Sequence, residues 1–204
     1  MARYGMVIDL KKCIGCTACV VACKSEHNSP TGVFNTTILE KEMGIYPNST
    51  RIFLPVMCNH CEKPTCVDVC PTGASYQRDD GVVLVDYDKC TGCSACIEHC
   101  PYQVRSNVKD NRRLFFDGKT AFERPVHDKI PNNVAAKCDL CYHKIDQGEE
   151  PACAAICMTE ARIFGDLDDK DSKICRQIEL HEGWTMLPDE ETEPKVYYIG
   201  DDID

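Results

Sequence analysis

Sixteen of the seventeen cysteines in this 204-residue chain fall into four groups of four, and that grouping constrains the fold more than any other feature. The groups are Cys13, Cys16, Cys19 and Cys23; Cys58, Cys61, Cys66 and Cys70; Cys90, Cys93, Cys96 and Cys100; and Cys138, Cys141, Cys153 and Cys157. Repeated C-x2-C spacing suits a tight loop around one centre better than a disulfide framework. The last pair in every group is spaced i,i+4, which predicts one helical turn carrying both. The chain counts 43% hydrophobic, but its cysteines inflate that figure. Metal–thiolate bonds are therefore expected to supply much of the folding free energy, and the metal-free chain is expected to be largely unfolded.

The third group, with Pro101 after it, reads C-x2-C-x2-C-x3-C-P, the bacterial ferredoxin run. In that run three thiolates hold one iron–sulfur cluster and the fourth holds the neighbouring cluster. Fourfold soft-sulfur ligation suits 4Fe–4S clusters, with zinc as the competing reading of C-x2-C pairs. The second group ends at Cys70 and the third begins at Cys90, so these two pair, leaving the first and fourth to pair across them. Exchange of fourth ligands then predicts four sets: Cys13, Cys16, Cys19 with Cys157; Cys138, Cys141, Cys153 with Cys23; Cys58, Cys61, Cys66 with Cys100; and Cys90, Cys93, Cys96 with Cys70. The alternative is that each group keeps its own four. Four clusters in so short a chain point to relay of single electrons.

An internal repeat organises the rest. IDLKKCIGCTACVVAC (8–23) aligns without a gap on VDYDKCTGCSACIEHC (85–100), and PTCVDVCPTGA (64–74) echoes PACAAICMTEA (151–161). The expected fold is α+β: two bacterial-ferredoxin-like modules, one inserted in the other, with loop insertions and a C-terminal tail. The first module spans 1–30 plus 138–165 and the second 55–105; insertions occupy 31–54 and 106–137, and 166–204 forms an acidic tail. Between the second and third groups a hairpin is expected to turn at Asp79–Asp80–Gly81, with Val82–Val85 as its second strand. The Cys-free stretch 24–57 reads as loop with short strands, and KVYYIG near the end as a strand.

The net charge of −10 argues against a nucleic-acid partner. Four thiolate-ligated clusters, each contributing about −2, would bring the total to roughly −18. Lys12, Lys89 and Lys137, each directly before the first cysteine of a group, are candidates to offset that charge or are simply solvated. His60, His99 and His143 are read as surface residues or as donors around the clusters, since no set is short of cysteine. Cys175 is expected to be a structural thiol and Trp184 a packing residue. No Gly-rich phosphate loop, nucleophile motif or catalytic carboxylate pair is found, so the chain is expected not to be an enzyme by itself. MARYGMVIDLKKC has no apolar core of a signal peptide, and no stretch has the ~18 apolar residues of a membrane span. Maturation is expected in the cytoplasm, where thiols stay reduced.

The arrangement resembles the iron–sulfur electron-transfer subunit of the dimethyl sulfoxide reductase family of molybdenum enzymes, including polysulfide, thiosulfate, tetrathionate and respiratory arsenate reductases. The resemblance covers nearly the whole chain and rests on MVIDLKKCIGCTAC, CNHCEKPTCVDVCPTGASYQ, CTGCSACIEHCPY, PACAAICMTEARIFGDLDD and PKVYYIG. It implies four 4Fe–4S clusters and a large catalytic subunit carrying a molybdopterin (Mo or W) cofactor. It also implies a membrane-embedded, quinone-reacting subunit or a soluble redox partner, with the first–fourth pair facing the catalytic subunit. Location outside the cytoplasmic membrane by co-export with a signal-bearing partner is expected, with a cytoplasmic location as the alternative. Met158 departs from the family pattern by following Cys157 where proline is usual, which puts the exit of that turn in question. Competing readings are a wire for formate dehydrogenase or hydrogenase, a free polyferredoxin, and a zinc-stabilised interaction module.

Overall fold

The structure is a computed structural model and describes residues 2–109 and 130–200. It is α+β, built from short helices and small sheets. Strand β1 (Tyr4–Asp9) lies at the centre of a three-stranded sheet, antiparallel to β8 (Arg162–Asp166) and parallel to β9 (Val196–Ile199). Met6, Val7 and Ile8 are all fully buried, so this strand reads as a continuous apolar run rather than an alternating one. The twofold side-chain period still sorts them. Met6 and Ile8 face a core shared with Met57, Val82, Leu84, Leu140 and Tyr198 and with the cysteines Cys19, Cys58, Cys138 and Cys153. Val7 faces the opposite way, onto Ile163, Ile199 and Ile174 of helix α6 (Lys173–Leu180). The cysteine centres thus take the place of part of a conventional core.

The repeat is visible in backbone geometry. Asp9 and Asp86 occupy aligned positions, and each caps the loop that follows it. Asp9 Oδ1 accepts from the Lys11 and Lys12 N–H groups, and Asp86 Oδ1 from those of Asp88 and Lys89. The N–H groups of Asp9 and Asp86 donate to Ala161 and Ala74, both at 2.7 Å. Gly15 and Gly92 share φ +68°, and Thr17 and Ser94 take left-handed conformations before helices α1 (Ala18–His27) and α3 (Ala95–Glu98). Strand β4 (Ser75–Gln77) pairs with β5 (Val83–Val85) so that Ser75 opposes Val85. In the aligned positions β1 pairs with β8 so that Ile8 opposes Arg162.

The hairpin expected at Asp79–Asp80–Gly81 is present, with Gly81 at φ +79° and the Arg78 N–H bonded to the Val82 carbonyl at 2.9 Å. Three expectations need correction. First, only α1 carries both of its last cysteines; α2 (Thr65–Asp68), α3 and α5 (Ala152–Ala155) are single turns that end before Cys70, Cys100 and Cys157. In each of the three, the residue three places beyond the last cysteine (Gly73, Gln103 or Glu160) has positive φ and donates its N–H back to that cysteine's carbonyl. This bond closes the turn whether or not proline follows, so Met158 does not alter the exit.

Second, the strands expected within 24–57 are long rather than short. Strands β2 (Thr36–Met43) and β3 (Thr50–Met57) form an eight-rung antiparallel arm from Thr36↔Met57 to Met43↔Thr50. Its base is buried through Thr36, Val56 and Met57, while Ile45 and Tyr46 at the tip are exposed. Third, the acidic C-terminal segment is structural as far as residue 200. Helix α6 is capped by Ser172 Oγ, which accepts the Cys175 N–H at 3.3 Å, and β9 falls where KVYYIG is predicted and completes the sheet. Of the insertion at 106–137, β6 (Ser106–Val108) pairs with β7 (Val134–Ala136), and residues 110–129 lie outside the described residues. No described helix is long and apolar enough to cross a membrane.

Candidate iron–sulfur centres

None of the seventeen cysteines is in a disulfide. The fold brings them together across group boundaries. Cys13 is an electrostatic neighbour of Cys19 and of Cys157 from the fourth group. Cys23 neighbours Cys153, and Cys138 and Cys141 each neighbour both Cys23 and Cys153. Cys61 neighbours Cys58, Cys66 and, from the third group, Cys100. Cys70 of the second group lines one small cavity together with Cys90, Cys93 and Cys96. Cys16 and Cys93, in the middle of their C-x2-C-x2-C loops, are the two exposed members.

Two kinds of environment surround the sulfurs. Burial pushes the Cys23 thiol up to about 12, with Cys153 and Asp139 adding to the effect. Burial likewise pushes Cys61 and Cys66 up to about 11, opposed by the Thr192 hydroxyl and by the Arg105 charge respectively. Such thiols ionise only when a Lewis-acidic metal takes the sulfur. Cys70 behaves differently. Burial raises it, but donation from the Ser75 N–H, the Thr72 hydroxyl and backbone N–H groups outweighs that and holds it down at about 7. Cys157 is lowered in the same way against its burial, by Thr159 and the backbone at Arg162 and Ala161. Sulfurs wrapped in N–H donors suit ligands of an anionic cluster.

Of the three lysines that precede cysteine groups, Lys137 acts on a site thiol, Cys66, while Lys12 and Lys89 stay at the surface. Lys12 and Lys89 turn back to Asp9 and Asp86, at 3.7 and 3.1 Å, so their charges are largely answered locally. Lys137 is 5% exposed, and its ammonium donates to the carbonyls of Val83 and of Cys138, the latter at 2.6 Å. Two further cations, Arg105 and Arg162, which the motif reading does not single out, also lie beside the site thiols. Arg105 donates to Cys66 Sγ at 2.8 Å and to Ser75 Oγ at 2.9 Å. Arg162 donates to Thr36 Oγ1 at 2.9 Å and to Met57 Sδ at 3.3 Å. Both arginines are nearly fully buried, and no described carboxylate pairs with either. Two buried cations beside sets of thiols, with no carboxylate partner among the described residues, are the arrangement an anionic cluster would complete, so the donor set and its charge environment fit 4Fe–4S ligation.

Of the histidines, His60 is fully buried and neutral, because burial and the charges of Lys137, Lys195 and Arg105 hold its pKa well below the usual value. Its Nδ1 accepts the Val83 N–H at 3.1 Å. His99 is exposed and bonds the Ala95 carbonyl, and His143 meets Glu26 at 2.7 Å. His27, which the motifs do not single out, lies 3.3 Å from Cys141 Sγ and 3.4 Å from Asp139. Cys175 stands apart on α6, its thiol directed at the Leu167 carbonyl at 3.4 Å. Trp184 stacks on Tyr198 with ring centroids 5.0 Å apart.

Fold and sites together define a ferredoxin-type iron–sulfur protein. A family described as a 4Fe-4S dicluster domain matches residues 49–131 and 122–167, and a second such family matches 12–74. The chain is 37% identical to the arsenate respiratory reductase iron–sulfur subunit of Shewanella sp. ANA-3, over 97% of this chain and 96% of that one. It is also 37% identical to a tetrathionate reductase subunit of Salmonella typhimurium, over 97% and 72%. Identity is 39% to a Halobacterium salinarum chain named as an iron–sulfur subunit of dimethyl sulfoxide reductase, over 100% and 81%. The chain belongs to the family of iron–sulfur electron-transfer subunits of dimethyl sulfoxide reductase-type molybdoenzyme complexes.

Proposed function

We propose that sixteen cysteines of this chain hold four 4Fe–4S clusters in the exchanged sets, within two ferredoxin-like modules of which one is inserted in the other. The observation that carries this reading is the meeting of the last cysteine of each group with thiols of another: Cys157 with Cys13, Cys23 with Cys153, Cys100 with Cys61, and Cys70 with Cys90. Bound clusters supply one-electron redox chemistry without proton or group transfer. The chain's own residues do the rest. The capped loops at Asp9 and Asp86 hold the C-x2-C runs in register, N–H groups at Ser75 and Ala161 donate to Cys70 and Cys157, and buried side chains keep water from the inner sulfurs.

In this reading the chain is a non-catalytic relay. It passes single electrons between a molybdopterin catalytic subunit and a membrane quinone-reacting subunit or soluble redox partner. It matures in the cytoplasm and is carried across the membrane with a signal-bearing partner. Support for the partner class comes from relatives named as subunits of arsenate and tetrathionate reductases.

Anaerobic purification followed by iron, sulfide and zinc analysis and EPR of the reduced chain tests the assignment. About 16 iron atoms per chain and four reducible centres are expected. Stoichiometric zinc with no signal on reduction would defeat it. Mass spectrometry of co-purifying chains is expected to return a large molybdenum-containing subunit, and recovery of the chain alone would favour a free polyferredoxin.

A further inference from the structure

Each group of cysteines is followed, five residues after its last member, by a buried polar side chain: Asn28, Ser75, Arg105 and Arg162. The repeat aligns Asn28 with Arg105 and Ser75 with Arg162, so each exchanged pair of groups carries one arginine and one small polar residue, in opposite order. The two guanidiniums nevertheless reach equivalent thiols. Arg105 acts on Cys66, Cys58 and Cys96. Arg162 acts on Cys153, Cys19 and Cys138. The alignment matches Cys66 with Cys153, Cys58 with Cys138 and Cys96 with Cys19. Ser75, at the position of Arg162, accepts a hydrogen bond from Arg105, so in this half the charge arrives at the same spot from the segment that follows the third group.

In both places the three thiols divide between two of the exchanged sets. Cys58 and Cys66 belong to one and Cys96 to its neighbour, as Cys138 and Cys153 belong to one and Cys19 to its neighbour. Arg105 is 5% exposed and Arg162 4%, and among the described residues Arg162 Nε has no hydrogen-bond partner. A guanidinium does not discharge by losing its proton, so burial cannot neutralise it. Among the described residues, the groups placed to supply its counter-charge are the thiols on either side, once ligated.

We propose that Arg105 and Arg162 are positioning residues that set cluster potential, each placing a permanent positive charge between the two clusters of its pair. Reduction adds one electron from the donor to one cluster, takes its net charge with four thiolates from about −2 to about −3, and moves no proton. A fixed cation between two such centres favours that step at both and relieves the repulsion between them once both are reduced. The inference rests on the four-cluster assignment proposed for this chain.

The test is an anaerobic redox titration of the full-length chain with dithionite and mediators, followed by EPR, for Arg105→Asn, Arg162→Ser and the relocation variant Arg105→Asn with Ser75→Arg. The longer neutral polar substitutions Arg105→Gln and Arg162→Gln replace any single variant that fails to retain iron. With iron content unchanged, each single variant is expected to disfavour reduction of two of the four centres at least tenfold, which is about 59 mV for a one-electron couple. Arg105→Asn and Arg162→Ser are expected to move different pairs, and relocation is expected to restore the pair that Arg105→Asn displaced. Full iron content with all four potentials unmoved would overturn the inference while leaving the four-cluster reading intact. Zinc in place of iron in the unsubstituted chain would instead remove that reading.

Discussion

Arg105 donates from Nη2 to the sulfur of Cys66 at 2.8 Å and from Nη1 to Ser75 Oγ at 2.9 Å. One side chain thereby ties the exit of the third cysteine group to a sulfur of the second and to the strand that follows Cys70. This exchange between groups is the organising relationship of the molecule.

Paired substitutions distinguish exchanged from self-contained ligand sets. Cys58→Ala with Cys100→Ala is expected to abolish one EPR-detected centre and leave three, because both sulfurs serve one of the proposed sets. Cys58→Ala with Cys70→Ala is expected to disturb two. Self-contained groups would give the reverse pattern.

Removal of iron with a chelator under oxidising conditions is expected to unfold the chain. Cys19, Cys58, Cys138 and Cys153 are part of the main buried cluster, and Arg105, Arg162 and Lys137 are buried cations near them. Loss of the metal removes both the cross-links and the counter-charge. Far-UV circular dichroism is expected to lose most of its ordered signal, and retention of native strand and helix content would contradict this.

Three glycines rank by what a side chain would meet. Gly73, at φ +65°, faces open space, so Gly73→Ala is expected to cost only the left-handed strain of about 1–2 kcal/mol. At Gly15 a methyl group would collide with the Phe53 ring, adding about 1–3 kcal/mol. At Gly92 it would enter the Asn133 carbonyl, which as backbone is less able to yield, so Gly92→Ala is expected to be the most damaging. Anaerobic denaturant titrations of the iron-loaded variants read the order.

Tyr198 is fully buried on β9 and donates its hydroxyl to the Pro55 carbonyl of β3 at 3.0 Å. Tyr198→Phe keeps the stacking on Trp184 but leaves that carbonyl without this donor. A loss of about 1–2 kcal/mol is expected from the same titrations, and no change would mean that water replaces the hydroxyl.

Much of the site is legible in the sequence because cysteine spacing is a local quantity. The loops around Gly15 and Gly92, the hairpin at Gly81 and the strand near Tyr198 all follow from residues adjacent in the chain. The long arm of β2 and β3 is harder to see, since its outer half is solvated and its charged residues do not show the alternation of a half-buried sheet. The segment after residue 166 reads as an acidic tail because its charges dominate its composition. Yet Ile174, Val196, Tyr198 and Ile199 are buried, and they bind it to β1.

The sequence by itself determined which sulfurs are available, how they group, and that the chain is a duplicated ferredoxin-type unit, because a metal loop is defined over a few consecutive residues. Only the tertiary structure decided where the compensating charge sits. Arg105 and Arg162 occupy non-aligned positions and reach aligned sulfurs, whereas Lys12 and Lys89, beside the motifs in sequence, turn back to Asp9 and Asp86. Coulomb energy depends on distance through space, and spacing along the chain does not report that distance once strands from both ends of the protein meet in one sheet.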